Sequence, residues 1–361
     1  MYIKGLFKGL NTLFRIRKAI LLLNKVSKVD INLFYKPSNT NNIMSKYAAS
    51  MDDVIAASKR IEGHGHRTPV LTNNTINRLS GKKIFFKCEN FQKIGAFKFR
   101  GGWNAISSLN DEEAVNGVCT HSSGNHAQAV AYAAMKRNIP AYIVMPKNAP
   151  KVKLQAVKGY KAKITLCEPT LKARRDTLDE IAKETGAHIV HPFNDPKVIA
   201  GQGTAALELI EEINELDAIC APIGGGGLMS GTCIASRSML PNVRLFGAEP
   251  KGADDAYRSL KEGKLLPQEN PNTICDGLLT SMGENTWKIL KDHLESIITV
   301  SDEEVVEAMK LVWERMKIII EPSCATPLAA ILTPEFKQKK EIKTVGIILT
   351  GGNVDLSKLP F

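Results

Sequence analysis

Short apolar runs alternate with amphipathic stretches along most of the chain, and this alternation predicts strands followed by helices. From residue 117 onward, six runs have the length and composition of strands: "GVCTH", "PAYIVMP", "KITLCE", "HIVHPF", "DAICAPI" and "RLFGAEP". Upstream, "KKIFFKCEN" predicts another strand, and "SMDDVIAASKRIEG" predicts a helix capped by Ser50. The pattern indicates α/β architecture with mostly parallel sheets.

Segments rich in glycine and polar residues follow four of the predicted strands. They are "HSSGNHAQ", "GGGGLMSG", "GAEPKGADD" and "LTGGNVD". In open α/β sheets, ligands bind at the carboxyl ends of the strands. We therefore expect these segments to share one site, together with Lys98, which lies in the glycine-flanked stretch "KIGAFKFRGG".

Composition narrows the class of protein. The chain is 43% hydrophobic and 24% charged, which is typical of a globular protein. It contains no apolar run of about 18 residues, so no membrane span is predicted. The seven scattered cysteines include no CxxC pair, which favours free thiols over disulfides or a zinc cage.

Most of the net charge of +11 lies near the amino terminus. Residues 1–50 hold seven lysines and two arginines against one aspartate, and no basic stripe with interleaved aromatics follows. This distribution does not favour nucleic-acid binding. Residues 1–44 form a basic, amphipathic leader, which is typical of a mitochondrial transit peptide. The alternative is an untranslated or disordered extension of a cytoplasmic protein, because Met44 offers a second start.

Four consecutive glycines, Gly224, Gly225, Gly226 and Gly227, separate a predicted strand from a predicted helix. Such a loop presents several backbone N–H groups to one anion, which predicts a phosphate site. No Gly-Lys-Ser/Thr follows, so the loop is not a Walker A motif. A dinucleotide site remains an alternative, because Glu249 ends the next strand.

Two further segments carry candidate chemistry. "THSSGNHAQA" brings hydroxyl, amide and imidazole groups to the start of a helix, which suits a substrate carboxylate or an aromatic hydroxyl. "GAEPKGADDA" places Glu249 and Asp255 after a strand, where carboxylates and a loop carbonyl suit Mg²⁺ or Ca²⁺. A solvated acidic loop is the alternative for this second segment.

The setting of Lys98 indicates a reactive amine. A desolvated lysine has a lowered pKa and forms a Schiff base with a carbonyl compound. An aldehyde cofactor with a phosphate group accounts for both Lys98 and the glycine loop, which predicts pyridoxal 5′-phosphate. The alternatives are a lysine that extends to water at a helix start, and a nucleotide-binding protein without a lysine adduct.

Six segments together resemble one family. They are "KIGAFKFRG", "HSSGNHAQA", "GGGGLMSG", "AEPKGADD", "VWERMKIIIEP" and "LTGGNVDL". In this order they resemble the family of serine racemases and threonine/serine dehydratases, which are fold type II, tryptophan-synthase-β-like enzymes with pyridoxal phosphate. The resemblance runs from about residue 51 to residue 356. It implies a two-lobed fold, with residues 45–116 and 195–361 in a large domain and residues 117–194 in a small, mobile domain.

The resemblance assigns roles to individual residues. Lys98 matches the lysine that carries the cofactor, and Ser123 matches the group that moves a proton on the opposite face of the substrate. The other residues that the family uses to bind the cofactor correspond to Phe97, Asn125, Gly224, Gly225, Gly226, Gly227, Leu228, Glu321 and Thr350. The substrate contacts correspond to Ser122, Ser123, Asn125, His126, Arg174, Thr280 and Ser281. The metal site, for Mg²⁺ or alternatively Ca²⁺ or Mn²⁺, corresponds to Glu249, Ala253 and Asp255.

The activity that the resemblance implies is interconversion of L- and D-serine, with elimination from serine or threonine to a keto acid and ammonia. The alternative is an ammonia-lyase acting mainly on L-threonine, L-serine or 3-hydroxyaspartate. Ala96 stands where the family usually has serine, and Phe193 stands where animal serine racemases have asparagine. In the region where animal serine racemases bind ATP as an effector, Ile94, Asn73 and Asn74 also depart from their pattern. ATP activation therefore stays open, and the resemblance also implies a homodimer.

Overall fold

The structure is a computed structural model that describes residues 46–122, 124–149 and 151–361. The leader at residues 1–44 and the candidate Ser123 lie outside the described residues. The predicted first helix is confirmed as α1, Met51–Ile61, and Ser50 forms a reciprocal capping box with Asp53. In the described part of the chain, no helix is long and apolar enough to cross a membrane.

The larger sheet has six strands in the order β1-β2-β10-β7-β8-β9. Its strands are β1 (Val70–Leu71), β2 (Lys83–Cys88), β7 (Ala218–Pro222), β8 (Arg244–Pro250), β9 (Ser296–Val300) and β10 (Thr344–Leu349). The edge strand β1 is antiparallel to β2, and every other neighbouring pair is parallel. Parallel strands require crossover connections, which the helices between them supply.

The smaller sheet is parallel throughout and has the order β5-β4-β3-β6. Its strands are β3 (Val118–His121), β4 (Ala141–Pro146), β5 (Lys163–Cys167) and β6 (His188–Ile189). The predicted α/β class with mostly parallel sheets is therefore confirmed. The two sheets take their strands from different parts of the chain. The mobility of residues 117–194 stays a prediction.

Fourteen helices lie in the described ranges. After α1 they are α2 (Asn74–Ser80), α3 (Lys98–Ser107), α4 (Asp111–Ala114), α5 (Asn125–Arg137), α6 (Lys151–Gly159), α7 (Leu171–Thr185), α8 (Pro196–Glu212), α9 (Gly227–Met239), α10 (Asp255–Glu262), α11 (Glu284–His293), α12 (Asp302–Met316), α13 (Pro322–Leu332) and α14 (Pro334–Lys337). Short 3₁₀ turns occur at Glu89–Phe91, Lys93–Gly95 and Asp276–Leu278.

The core follows from this layering. Strand β7 is buried along its whole length, and α13 is buried along nearly all of its length and packs beside it. A second cluster of buried apolar side chains joins α5 to the smaller sheet. All seven cysteines are buried, and they are free thiols, as their number and spacing predict. A buried parallel sheet leaves its carboxyl-end loops as the place for polar groups.

Candidate active site

The loop before Lys98 is hydrogen-bonded to the chain that leaves β10. The backbone N–H of Phe97 donates to the carbonyl of Thr350 at 2.9 Å, and that of Gly352 donates to Gly95 at 3.0 Å. Ala96 and Gly351 form an antiparallel bridge between these bonds. The contacts hold Lys98 at the carboxyl end of the larger sheet, where the sequence predicts a ligand.

Ile94, within this loop, has a backbone conformation that is rare for its residue type. Its φ is 59° and its ψ is 9°, which is left-handed for a β-branched residue. Such a conformation costs about 1–3 kcal/mol and persists only where surrounding contacts enforce it. Here Asn353 donates its side-chain amide to the Ile94 carbonyl at 2.8 Å. The strained turn therefore depends on the residues that follow β10.

Lys98 begins α3 and directs its amine into the protein. Its Nζ donates to the carbonyl of Pro192 at 2.7 Å and lies 5.2 Å from the centre of the Phe97 ring. Burial lowers the pKa of the Lys98 ammonium to about 8. A lysine with a lowered pKa is a nucleophile at neutral pH, so the geometry favours a reactive amine over one that extends to water.

The acceptor carbonyl of Pro192 lies in a turn that a histidine organises. Nδ1 of His191 accepts the backbone N–H groups of Phe193 at 3.3 Å and Asn194 at 3.0 Å. Burial, His121 and Lys98 lower the pKa of His191 to about 4, so the ring is neutral and free to accept. Sequence reasoning missed His191, although "HPFNDP" drew attention for Phe193.

The four glycines occupy the turn from β7 to α9 and are buried. Gly226 has a φ of +84°, which favours glycine, and a Cβ on Gly225 would lie 2.1 Å from Cγ of Phe193. Close packing against Phe193 therefore accounts for part of the glycine content. The first N–H groups of a helix have no partner within it, so those at the start of α9, which includes Leu228, suit an anion.

Asn125, at the start of α5, connects two other residues at the same edge. Its Nδ2 donates to Oε1 of Glu321 at 2.8 Å, and its Oδ1 accepts from Nδ2 of Asn353 at 2.8 Å. Glu321 precedes α13, and burial together with Asp276 raises its pKa to about 7. Thr350 is buried directly after β10. The structure thus brings together Lys98, Asn125, Glu321 and Thr350.

The other predicted substrate residues differ in their placement. His126 is buried with Nε2 3.0 Å from the Val190 carbonyl, and burial and Lys98 keep its pKa well below the usual range. Ser122 follows β3, and Arg174 lies on α7, where its Nε has no partner among the described residues. The Thr280 hydroxyl donates to the Ser281 carbonyl at 3.4 Å. The Ser281 hydroxyl accepts the backbone N–H of Gln268 at 2.9 Å.

The predicted metal ligands Glu249 and Asp255 are both buried. Glu249 accepts backbone N–H groups at the start of α10, and Asp255 accepts that of Met282 at 3.0 Å. Burial raises the pKa of Asp255 to about 6 and that of Glu249 well above its usual range. Oδ1 of Asp255 has no partner in the described part of the chain.

No cluster of three or more His, Cys, Asp or Glu side chains suited to a metal occurs among the described residues. The predicted site instead combines two carboxylates with the carbonyl of Ala253. Carbonyl oxygens are ordinary ligands of Mg²⁺ and Ca²⁺. The unpartnered carboxylate oxygen of Asp255 is the observation that fits such an ion.

The fold and this site define a class of enzyme. The chain matches the family described as "Pyridoxal-phosphate dependent enzyme" over residues 61–351, and it belongs to that family. The fold type II class that the sequence predicts is confirmed by this match and by the structural neighbours.

Individual relatives show which members of the family this chain resembles. A serine racemase of Dictyostelium discoideum is 55% identical over 312 residues, which is 86% of this chain and 96% of that protein. The crystal structure of serine racemase from that organism has a TM-score of 0.83 and is matched over 86% of this chain and 100% of its own. A beta-hydroxyaspartate dehydratase of Paracoccus denitrificans is 51% identical, over 87% of this chain and 99% of that protein. The predicted resemblance to racemases and dehydratases is thereby confirmed.

Proposed function

We propose that this enzyme interconverts L- and D-serine and also eliminates water from serine or threonine to give a keto acid and ammonia. One observation carries the proposal: the half-buried Lys98, whose amine has a lowered pKa, lies at the edge of the sheet shared with the glycine loop, in a chain similar to serine racemases. Family membership supplies the cofactor class, and the similarity supports the substrate class.

The described residues fit pyridoxal phosphate. The N–H groups of Gly224, Gly225, Gly226, Gly227 and Leu228 would hold the phosphate, because the start of α9 favours an anion. Phe97 would pack beside the ring. Asn125 has two amide hydrogens and uses one on Glu321, so the other is free to donate to the cofactor's phenolic oxygen.

Thr350 would determine how strongly the cofactor withdraws electrons from the substrate. When bound, the cofactor supplies an electron sink for negative charge that develops at the substrate Cα. The neutral Thr350 hydroxyl beside the pyridine nitrogen would leave that nitrogen unprotonated, so the sink would be weaker than with a carboxylate partner. This favours loss of a β-hydroxyl over long-lived negative charge at Cα.

Proton transfer at Cα requires a group on each face of the substrate. Lys98 would serve one face, because its amine is buried and has a pKa of about 8. Ser123, which lies outside the described residues, would serve the other. Ser122, Asn125 and His126 would surround the substrate carboxylate, with Arg174, Thr280 and Ser281 approaching on closure of residues 117–194 over the large domain.

The first test is chemical. Borohydride treatment of the yellow protein should fix the cofactor to the peptide that contains Lys98, as mass spectrometry would show. Lys98→Ala should be unlabelled, whereas the exposed control Lys261→Ala should be labelled like the wild type. A wild-type protein that remains colourless with added cofactor would refute the proposal.

The second test separates racemisation from elimination. L-Serine, L-threonine and L-threo-3-hydroxyaspartate are supplied separately, and D-serine and keto acids are assayed in each reaction. We expect both products from L-serine. Keto acid without D-serine would instead establish the alternative, an ammonia-lyase, which the similarity to a beta-hydroxyaspartate dehydratase favours.

Three further features belong to the proposal. Glu249, Ala253 and Asp255 would hold Mg²⁺, Ca²⁺ or Mn²⁺, supported by the unpartnered Asp255 oxygen. A homodimer is implied by the family resemblance and is tested by analytical ultracentrifugation. ATP activation and the cytoplasmic or mitochondrial location remain open to direct assay with ATP and to localisation of the full chain.

A further inference from the structure

Asn353 touches two parts of the active site at once. It lies four residues beyond the end of β10, and its side-chain Nδ2 donates both to the Ile94 carbonyl and to Oδ1 of Asn125, each at 2.8 Å. Its own Oδ1 lies above Gly95, where a Cβ would come within 2.8 Å of it. One amide therefore contacts the turn before Lys98 and the start of α5.

These bonds determine which way the Asn125 amide points. A backbone carbonyl only accepts, so the nitrogen end of Asn353 has to face Ile94. That same nitrogen faces Asn125, so Asn125 has to present its oxygen to Asn353. The nitrogen of Asn125 is then directed toward Oε1 of Glu321, 2.8 Å away.

The hydrogen bond with Glu321 alone would not fix the orientation of the Asn125 amide. Burial and Asp276 raise the pKa of Glu321 to about 7, whereas Lys153, the Asn125 amide and the Asn353 backbone N–H lower it. Near neutral pH the carboxyl group is therefore protonated in part of the molecules, and a protonated carboxyl can donate to the oxygen of a reversed amide. The carbonyl of Ile94 cannot donate at any pH. Asn353, which bonds this carbonyl, therefore orients the Asn125 amide in the same way at every pH.

We propose that Asn353 is a positioning residue that holds the Asn125 amide with its N–H groups toward Glu321 and the cofactor, and that ties the turn before Lys98 to the same strand end. The inference rests on the proposed contact between Asn125 and the phenolic oxygen of the cofactor. Asn353 acts through Asn125 and the turn, and it does not itself touch the reacting atoms.

The test is a double-mutant cycle with Asn353→Asp, Asn125→Ala and the double variant, each as full-length protein. Aspartate has the size of asparagine but lacks both amide donors, so it repels the Ile94 carbonyl and favours a reversed Asn125. The readouts are the visible absorption maximum of the bound cofactor, its dissociation constant and kcat/KM for L-serine. The matched control is Asn242→Asp, at an exposed asparagine far along the chain from these loops.

We expect each single variant to bind the cofactor about ten- to a hundredfold more weakly, because Asn125→Ala removes the proposed hydrogen bond to the phenolic oxygen and Asn353→Asp turns the Asn125 amide away from it. Both should shift the absorption maximum in the same direction. The double variant should bind the cofactor about as weakly as the single variant with the larger loss, because the two residues act through one amide. Asn242→Asp should match the wild type.

Three results would overturn the inference. If Asn125→Ala shifts the spectrum but Asn353→Asp does not, or if their losses add, then Asn353 does not act through Asn125. If Asn125→Ala has no effect, the proposed role of Asn125 fails and the inference fails with it. Should Asn353→Asp not fold, Asn353→Ser, which is smaller and keeps a hydroxyl donor, enters the same cycle with the same criteria.

Discussion

In this site, burial brings the pKa of a basic group and the pKa of an acidic group close together. The ammonium of Lys98 falls to about 8, and the carboxyl of Glu321 rises to about 7. Both shifts have the same main cause, because a poorly solvated site disfavours the charged form of either group. Groups with such shifted values are suited to proton transfer near neutral pH.

Glu321→Gln should remove a titration from the pH profile. The wild-type Glu321 is protonated below pH 7 and charged above it, so its bond with the Asn125 amide changes across this value. We expect log(kcat/KM) to show a limb with an apparent pKa of about 7 that the variant lacks. Glu335→Gln, at an exposed position, should retain the limb; a limb that persists in Glu321→Gln would assign it to another group.

Gly225→Ala tests the packing of the glycine loop. A Cβ at this position would lie 2.1–2.4 Å from ring atoms of Phe193, so either the ring or the loop has to move. We expect cofactor binding to weaken at least tenfold, which corresponds to about 1.4 kcal/mol. The double variant Gly225→Ala/Phe193→Ala should recover part of this loss in a fluorescence titration. No recovery would mean that the steric conflict lies elsewhere.

At the scale of elements, helix α3 is anchored by a buried ionic cluster close to Lys98. Arg100 bonds Glu89 and Glu208 with its guanidinium at 2.7–2.8 Å, and Lys87 also bonds Glu208, at 2.6 Å. Burial alone would raise the pKa of Glu208, but Arg100 and Lys87 outweigh it and lower the value to about 2. The contribution of Glu208 to stability is therefore present at neutral pH and lost as pH falls toward 2.

Arg100→Met should destabilise the protein strongly. Removing Arg100 leaves Glu89 as a buried carboxylate without its ion-pair partner and Glu208 with Lys87 alone, and breaking a buried pair in this way costs about 3–5 kcal/mol. Urea unfolding followed by circular dichroism measures the free energy of unfolding. Arg78→Met, at an exposed arginine on α2, should change it by less than about 0.5 kcal/mol. Equal effects of the two variants would argue against the anchoring role of the cluster.

At the scale of the whole molecule, the carboxyl edge of the larger sheet collects groups from distant parts of the chain. Glu249 is the second-last residue of β8 and Asp255 begins α10, whereas Met282, which bonds Asp255, lies in the loop before α11. A cation bound between these segments would tie them together. The proposed metal site is thus expected to act on the stability of the whole protein.

Divalent metal should raise the melting temperature of the protein, and EDTA should lower it. A cation that binds the folded state and not the unfolded one stabilises the former, by about 2.7 kcal/mol at a hundred times its dissociation constant. Asp255→Asn should abolish the response to Mg²⁺ or Ca²⁺, whereas Asp179→Asn, at an exposed aspartate, should retain it. Differential scanning fluorimetry gives the measurement, and an unaltered melting temperature in wild type would refute the site.

Local patterns sufficed for much of the fold. The apolar runs predicted β3, β4, β7 and β8 because buried parallel strands need continuous apolar sequence, and they also predicted β5, which is a mostly exposed edge strand. They were less informative for "HIVHPF", where only His188–Ile189 is a strand and the remainder forms the turn around His191. That turn depends on a side chain that accepts backbone N–H groups, which apolar periodicity does not report.

The sequence by itself determined the class of fold, the glycine loop and Lys98, because strand periodicity and glycine-rich turns are local properties. Only the tertiary structure decided that Asn353 holds Ile94, 259 residues away, and that Phe193 packs on Gly225. It also decided the pKa values of Lys98 and Glu321, since burial depends on every segment that surrounds a group. Contacts between distant residues arise from the packing of whole sheets, so no short stretch of sequence contains them.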